Sequence, residues 1–283
     1  MIFKHLIMGK ISVIVQTYNA SSHLDTVLSS LAGFDEIVVA DMESTDDTLE
    51  IARRHGARTV VYPRENHRIC EAYRDRAIHE ATHEWVLVVD ADEVVPPGLC
   101  RYLYDEIERD PSPHCVLIPR RNYFMGRWMR CDYPDYLPRF LKRDGTHWPY
   151  SIHSWPTHDG GKVKIPSSRT DLALIHLANE SVAQRVAKLN YYTDQEKCRR
   201  RVGYRSWKLL TDPFFRFFKC YFLKGGIRLG REGFIRAVMD GFYRFAVMAK
   251  LEEERGKLSV TDLDKHLCEA KMNRVDKSEK KES

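Results

Sequence analysis

Short apolar runs alternate with longer amphipathic stretches through the first 120 residues. Ile11–Gln16 is a β-branched run too short for a helical period, and Glu36–Asp41, Arg58–Tyr62, Glu84–Asp90 and His114–Pro119 repeat that strand signal. Helical spacing fills the gaps. One helix is expected from about Ser22 to Leu31, with Ser21 or Ser22 as N-cap and Gly33 as its stop. A second is expected to be capped at Ser44–Thr45 and to end at Gly56, with Asp46, Asp47 and Glu50 early, where negative charge suits the helix dipole. Cys70–Ala81 and about Gly98–Arg109, the latter after the Pro96–Pro97 break, complete the set. Strands alternating with helices imply βαβ units, so the expected class is α/β: a mostly parallel sheet flanked by helices.

From about Asn122 to Thr170 the periodicity gives way to aromatics, Pro, His and Gly, read as loops and short strands forming a wall over the sheet. From about Glu180 to Arg255 the chain reads as helical, broken at Asp212–Pro213 and at Gly225, Gly226 and Gly230. The expected division is 1–120, 121–179, 180–255 and a C-terminal tail over 256–283.

Charge sharpens this division. The chain carries 45 Lys and Arg against 40 Asp and Glu, yet residues 185–250 hold 16 basic and 5 acidic side chains, so the rest is net acidic. A basic helical extension behind an acidic front implies two surfaces with different partners. In Phe214–Leu223 the apolar residues are interrupted by Arg216 and Lys219, and over Gly233–Leu251 the polar residues Arg236, Asp240 and Arg244 form a narrow stripe. Such helices either pack inside the domain or lie on an anionic membrane surface. Nucleic acid is not expected, because no DNA- or RNA-binding motif accompanies the charge. No run approaches the ~18 apolar residues of a membrane span. The N-terminal stretch reads as strand rather than signal peptide, which places the expected protein in the cytoplasm. The seven cysteines form no CxxC pair and are expected as reduced thiols. Phosphate loops of the G-x-x-x-x-G-K-[ST] kind and G-x-G-x-x-G fingerprints are missing, against an ATPase or dehydrogenase.

The sharpest chemical feature is Asp90-Ala91-Asp92-Glu93 at the carboxyl end of the most apolar strand. Ligands of open α/β sheets bind outside that end. Carboxylates crowded there repel one another unless a cation sits among them, and Mg2+ or Mn2+ would bridge them to a diphosphate. The plain alternative is an acidic turn before Pro96. Asp41 ends the second strand, and Thr17-Tyr18-Asn19 follows the first, so three strand ends present polar groups together.

In order, the chain reads QTYN (16–19), DMESTDDT (41–48), Arg74-Asp75-Arg76-Ala77-Ile78 and VVDADE (88–93). Over roughly residues 10–155 this resembles the inverting family 2 glycosyltransferases of the nucleotide-diphospho-sugar transferase (GT-A) fold. That resemblance implies that Asp41 meets the nucleotide base, usually uracil, beside Thr17, Tyr18 and Asn19. It implies that Asp90 and Ala91 face the ribose or sugar, that Asp92 binds the metal on the diphosphate, and that Arg74 lines the donor pocket. Asp75 and Ala77 replace the Asn and Gly of the family's helix motif, and a solvated helix charge is the alternative for Arg74.

The segments FMGRWMR (124–130) and YPDYLPRF (133–140) and the Ile-His pair at 152–153 resemble the bacterial lipopolysaccharide-core glucosyltransferase branch. Ser154 stands where those enzymes usually carry Glu. Within the resemblance Asp135 is the best match to the general base, with Asp132 and His153 as rivals and a salt bridge to Arg139 as the structural alternative. Trp128, His153 and Trp155 are acceptor-contact candidates, and Trp148 and Tyr150 share the aromatic wall. The expected function is transfer of one hexose from a nucleotide-diphosphate sugar such as UDP-glucose. The acceptor would be a lipopolysaccharide core or another glycolipid or polysaccharide, the outcome inversion, and the place the cytoplasmic face of the inner membrane. The QxxRW signature of processive synthases is missing. Two alternatives stay open: a nucleotidyltransferase on the same fold, or an inactive sugar-nucleotide-binding scaffold at the membrane. The first lacks its Gly/Arg-rich loop after the opening strand, and the carboxylate set speaks against the second.

Overall fold

The computed structural model describes residues 9–65, 73–109, 113–149, 155–177, 181–199, 207–255, 263–264 and 267. The chain forms two compact units, residues 1–183 with 219–237, and residues 184–218 with 238–283.

The first unit is built on one sheet. Its parallel part comprises β1 (Ile11–Thr17), β2 (Glu36–Asp41), β3 (Arg58–Val61) and β4 (Trp85–Asp90), in the order β3-β2-β1-β4. β1 lies between two parallel neighbours and is buried along its whole length, which its β-branched residues suit. The two-residue period divides its side chains between faces. Ile11, Val13 and Val15 join Leu24, Val27 and Leu28 of α1 (Ser21–Ser30) and Ile51 of α2 (Thr48–Arg54). Ile14 joins Ala77 and Ile78 of α3 (Arg74–His79) on the other face. β4 alternates the same way, with Leu87 and Val89 against Val86 and Val88.

The α2 start differs from expectation. Ser44 gives its hydroxyl to Asp41, and the first turn is tied instead by Asp46, which accepts from the Thr48 backbone N–H at 3.1 Å. Residues 66–72 of the expected Cys70–Ala81 helix lie outside the described residues.

Beyond β4 the sheet is mixed rather than parallel. After β5 (Glu93–Val94) and α4 (Pro97–Ile107) come β6 (Cys115–Phe124), β7 (Arg127–Trp128), β8 (Asp135–Lys142), β9 (Lys162–Lys164) and β10 (Leu174–His176). The path continues β4-β8-β6-β10-β5, with β8 antiparallel to both its neighbours and β10 parallel to β6. The stretch expected as loops and short strands therefore contributes an eight-residue strand whose Phe140 is fully buried and stacks on Trp85 at 5.1 Å. Its antiparallel direction brings Asp135 to the edge where β1, β2, β4, β6 and β10 end. A π-turn (Lys219–Leu223), a 3₁₀ turn (Gly226–Leu229) and the start of α7 (Gly230–Arg255) belong to this unit. There Gly233 meets Gly226 so closely that a Cβ would fall 2.0 Å from its carbonyl oxygen.

The second unit holds α5 (Val182–Arg199, from Gln184 on), α6 (Lys208–Phe218) and the remainder of α7. Arg244 pairs with Asp212 at 3.0 Å, and Lys250 with Asp194 at 2.9 Å. α6 buries none of its residues: Leu210, Phe214, Phe215 and Phe218 are exposed, as are Val238, Phe242 and Phe245 of α7. In the first unit Phe222, Leu223, Ile227 and Phe234 are exposed too. Among the described residues no helix is long and apolar enough to cross a membrane.

Candidate functional site

Strand register assembles the site. Thr17 lies beside Asp41 across β1–β2, and Gln16 beside Asp90 across β1–β4. Arg120 faces Asp135 across β6–β8, and His176 neighbours both Asn122 and Glu93. Residues separated by up to 160 positions thus share one sheet edge.

At its first end, Asp41 is fully buried and accepts from Thr17 Oγ1 at 2.7 Å, Ser44 Oγ at 2.6 Å and the Ser44 N–H at 2.8 Å. Asn19 adopts φ 46°, a left-handed conformation that Asn tolerates, and its Oδ1 accepts from the Thr45 N–H at 2.8 Å. The Arg64 guanidinium lies 3.8 Å from the centre of the Tyr18 ring. These contacts make a rigid polar shelf from the β1 and β2 ends.

At the centre, Arg74 is not a solvated helix charge. Its Nε donates to Gln16 Oε1 at 2.6 Å, its Nη2 lies 3.2 Å from Asp90, and it covers the Trp148 ring at 4.9 Å. Trp148 is buried there, so it is wall packing rather than an open stacking surface. Arg139 pairs with Asp90 and, at 2.9 Å, with Glu93. The structural alternative for Asp135 is therefore corrected: its partner is Arg120, at 2.7 Å, and not Arg139. Glu93 is fully buried, accepts from Arg120 Nη1 at 2.8 Å, and takes the Asp90 N–H at 3.0 Å.

Charge counting also changes the expectation for Asp90-Ala91-Asp92-Glu93. Three guanidiniums (Arg74, Arg120, Arg139) meet three carboxylates (Asp90, Glu93, Asp135), so arginine already offsets the crowding of these three. Burial alone would push Asp90 up, but Arg139 and Arg74 outweigh it and hold its carboxyl well below the ordinary range. Burial likewise opposes ionisation of Asp135, and Arg120 with the Asn122 hydrogen bond overcomes it, so its pKa is lowered.

Asp92 meets a histidine. Its Oδ2 lies 3.2 Å from His176 Nε2. Asn122 Nδ2 donates to Asp135 at 3.0 Å, so Asn122 Oδ1 faces His176 Nδ1 at 2.7 Å and can only accept. With this amide orientation His176 Nδ1 is the donor to Asn122, and Nε2 is the ring atom that faces the Asp92 carboxylate. A carboxylate and an imidazole nitrogen 3.2 Å apart are a donor set that fits a divalent ion, with Asn122 orienting the imidazole.

Other expected residues are dispersed. Asp132 pairs with Arg236 at 2.7 Å. Trp128 packs edge-on to Tyr133 with its indole Nε1 buried and without a hydrogen-bond partner among the described residues, and Trp155 is exposed. Tyr150 and His153 lie outside the described residues. Arg120, Asn122 and His176 belong to this cluster but were not singled out from sequence; Glu93 was read only as part of the acidic run, and Arg139 only as a salt-bridge partner for Asp135. A signal for His176 existed: Leu174-Ile175-His176 is an apolar run ending in a polar residue, like those ending at Asp41 and Asp90.

The profile of glycosyl transferase family 2 matches residues 12–157. The chain belongs to that family. Membership makes it a glycosyltransferase that draws on nucleotide sugars. Over 274 residues it is 28% identical to an uncharacterized glycosyltransferase of Rickettsia felis, covering 87% of this chain and 90% of that one. Over 272 residues it is 23% identical to the lipopolysaccharide core biosynthesis glycosyltransferase LpsC of Rhizobium meliloti, covering 90% and 96%. A mannosyltransferase of Pyrobaculum calidifontis, solved in complex with GDP-Man and Mn2+, superimposes with a TM-score of 0.54 at 16% identity over 88% of each chain. That likeness shows the GT-A-like nucleotide-sugar transferase fold.

The pairing of Arg120 with Asp135 and Glu93 gives a prediction with a definite sign. Arg120→Met leaves Asp135 part-buried without its main cation, so its folded-state pKa rises above the unfolded value. The penalty is then largest near neutral pH and shrinks as pH falls and the carboxyl binds its proton. Urea unfolding should show a loss of about 3 kcal/mol at pH 7 and distinctly less at pH 5. An equal loss at both would exclude Asp135 as the source.

Proposed function

We propose that this family 2 enzyme transfers a single hexose, with inversion, from a nucleotide-diphosphate sugar such as UDP-glucose to a lipopolysaccharide-core or other glycolipid acceptor, using Mg2+ or Mn2+. The observation that carries the reading is the junction of Asp92, His176, Asn122 and Asp135, which joins a cation-competent pair to a part-buried carboxylate through one amide. In this reading Thr17, Tyr18, Asn19 and Asp41 form the shelf for the nucleoside. Asp90, Ala91 and Arg74 border the sugar, and Asp92 with His176 holds the cation. Bound there, the cation supplies Lewis acidity toward the diphosphate. Asp135 is the general base, lying beyond Asn122 from Asp92. The acceptor hydroxyl oxygen attacks the anomeric carbon, Asp135 takes the hydroxyl proton, and the bond from that carbon to the diphosphate oxygen breaks with its electrons leaving on the nucleoside diphosphate. Its lowered pKa keeps Asp135 ionised and ready at neutral pH. Trp155 offers the acceptor an open ring; Trp128, whose indole N–H is buried, and His153 remain part of the proposal on resemblance alone.

The glycolipid half of the proposal draws on the likeness to LpsC and on the exposed aromatics. Each unit, taken by itself, exposes Phe and Leu side chains, and in the first unit they stand among exposed Lys219, Lys224 and Arg228. That combination suits peripheral attachment to an anionic membrane surface, which we assign to the cytoplasmic face of the inner membrane.

Three measurements test the proposal. UDP and GDP should bind better with Mn2+ than with EDTA, and Asp92→Asn should erase the difference; a difference that survives removes Asp92 from the cation site. Asp135→Asn should leave nucleotide binding intact while lowering turnover roughly 10²-fold or more; near-normal turnover transfers the base role elsewhere. Flotation with anionic liposomes should fall about 100-fold in partitioning when Lys219, Lys224 and Arg228 become Gln, at about 1 kcal/mol for each charge. Indifference of the parent protein to those liposomes at low salt leaves a soluble acceptor.

A further inference from the structure

Away from the transfer site, the first unit brings together two cysteines that lie far apart in sequence. Cys131 sits in the 3₁₀ turn Arg130–Asp132, and Cys220 in the π-turn Lys219–Leu223. Both are almost wholly buried, at 1% and 3% exposure, and their thiols are hydrogen-bonded to each other. Asp132 joins them: one ligand atom from each of Cys131, Asp132 and Cys220 lies within 4.8 Å of the other two. Asp132 is also the most accessible of the three, with 18% of its side chain exposed, and so provides the entry.

From this cluster we infer a structural metal site, for Zn2+, formed by Cys131, Asp132 and Cys220. Two thiolates and one carboxylate are a borderline-soft donor set, which suits Zn2+ over the hard ions expected at Asp92 and His176. Water completes the tetrahedron. Binding replaces both thiol protons, which pass to solvent, with two Zn–S bonds.

Against the cluster lies Arg236, whose Nε and Nη2 are 2.7 and 3.3 Å from the two Asp132 oxygens. A carboxylate has four lone-pair positions, so this fork leaves room for a metal. The charges also close: two thiolates and a carboxylate balance Zn2+ and the guanidinium, leaving a neutral buried group.

The backbone around Cys220 is built to hold it. The π geometry is carried by the Lys224 N–H bonding to the Lys219 carbonyl at 2.9 Å. Such turns are rare and occur preferentially at functional positions. Gly226 lies so close that a Cβ would be 2.8 Å from the Cys220 carbonyl oxygen. Burial of both thiols restricts access by a disulfide reagent, which favours metal over a disulfide. The site would clamp the turn three residues before Asp135 to residues 219–229 of the same unit.

The test uses the full chain without a polyhistidine tag, reduced and freed of metal with EDTA, then titrated with Co2+ and Zn2+. One Co2+ per chain should bring up a thiolate-to-cobalt charge-transfer band that Zn2+ abolishes, and Zn2+ loading should raise the melting temperature. Cys131→Ser and Cys220→Ser should lose the band, and Asp132→Asn should weaken binding at least about tenfold. Cys115→Ser and Asp92→Asn should retain the band, separating this site from the transfer site. The parent measurement needs no variant to fold. Lack of a thiolate band in the reduced parent chain, including a chain found only as a Cys131–Cys220 disulfide before reduction, overturns the proposal. So does a band that survives in both serine variants.

Discussion

Glu93 is a carboxylate without solvent exposure, and its burial is compatible with folding only because two guanidiniums and a backbone N–H close around it. Arg139 extends from it to Asp90 and Arg120 to Asp135. One buried anion therefore sets the position of two further carboxylates, Asp90 at the end of β4 and Asp135 at the start of β8. Removing either arginine would strand charge in a region that water reaches poorly. The arrangement is costly if incomplete and rigid if complete, which is what an active site requires of its frame.

The antiparallel strand explains how this frame coexists with a parallel nucleotide-binding sheet. Parallel strands bring only their carboxyl ends to the ligand edge. β8 runs the other way and delivers its first residue, Asp135, to the same edge, while Arg139 two pleats along reaches back to Asp90. β10 then adds His176 from 84 positions beyond Asp92. The site is consequently divided by chemistry: arginine-balanced carboxylates in the middle, and a carboxylate–imidazole pair at Asp92 and His176.

The helical parts follow a different rule. In each unit ion pairs and buried aliphatic residues hold the helices, while many of the large aromatic side chains remain in solvent. Leaving Phe214, Phe222 or Phe234 exposed forfeits burial worth about 1.5–3 kcal/mol each. That sacrifice is intelligible for a surface that meets something apolar.

By itself the sequence determined the βαβ alternation, the burial of β1 and β4, and the placing of Asp41, Asp90 and Asp92 at strand ends, because period-two apolar runs and their boundaries are local properties of the chain. It also carried the family motifs from Thr17 to Asp92. It misread the stretch containing β8, since Pro134, Pro138 and the aromatics there mask the strand signal that pairing with two neighbours supplies. Which arginine meets which carboxylate was decided only by the tertiary structure. Arg139 is four residues from Asp135 yet bonds to Asp90 and Glu93, because the β6–β8 register skips it at a bulge, which breaks the alternation of the strand and turns its side chain to other neighbours. His176 and Asn122, and the meeting of Cys131 with Cys220, likewise depend on strand register and helix docking, which no local spacing encodes.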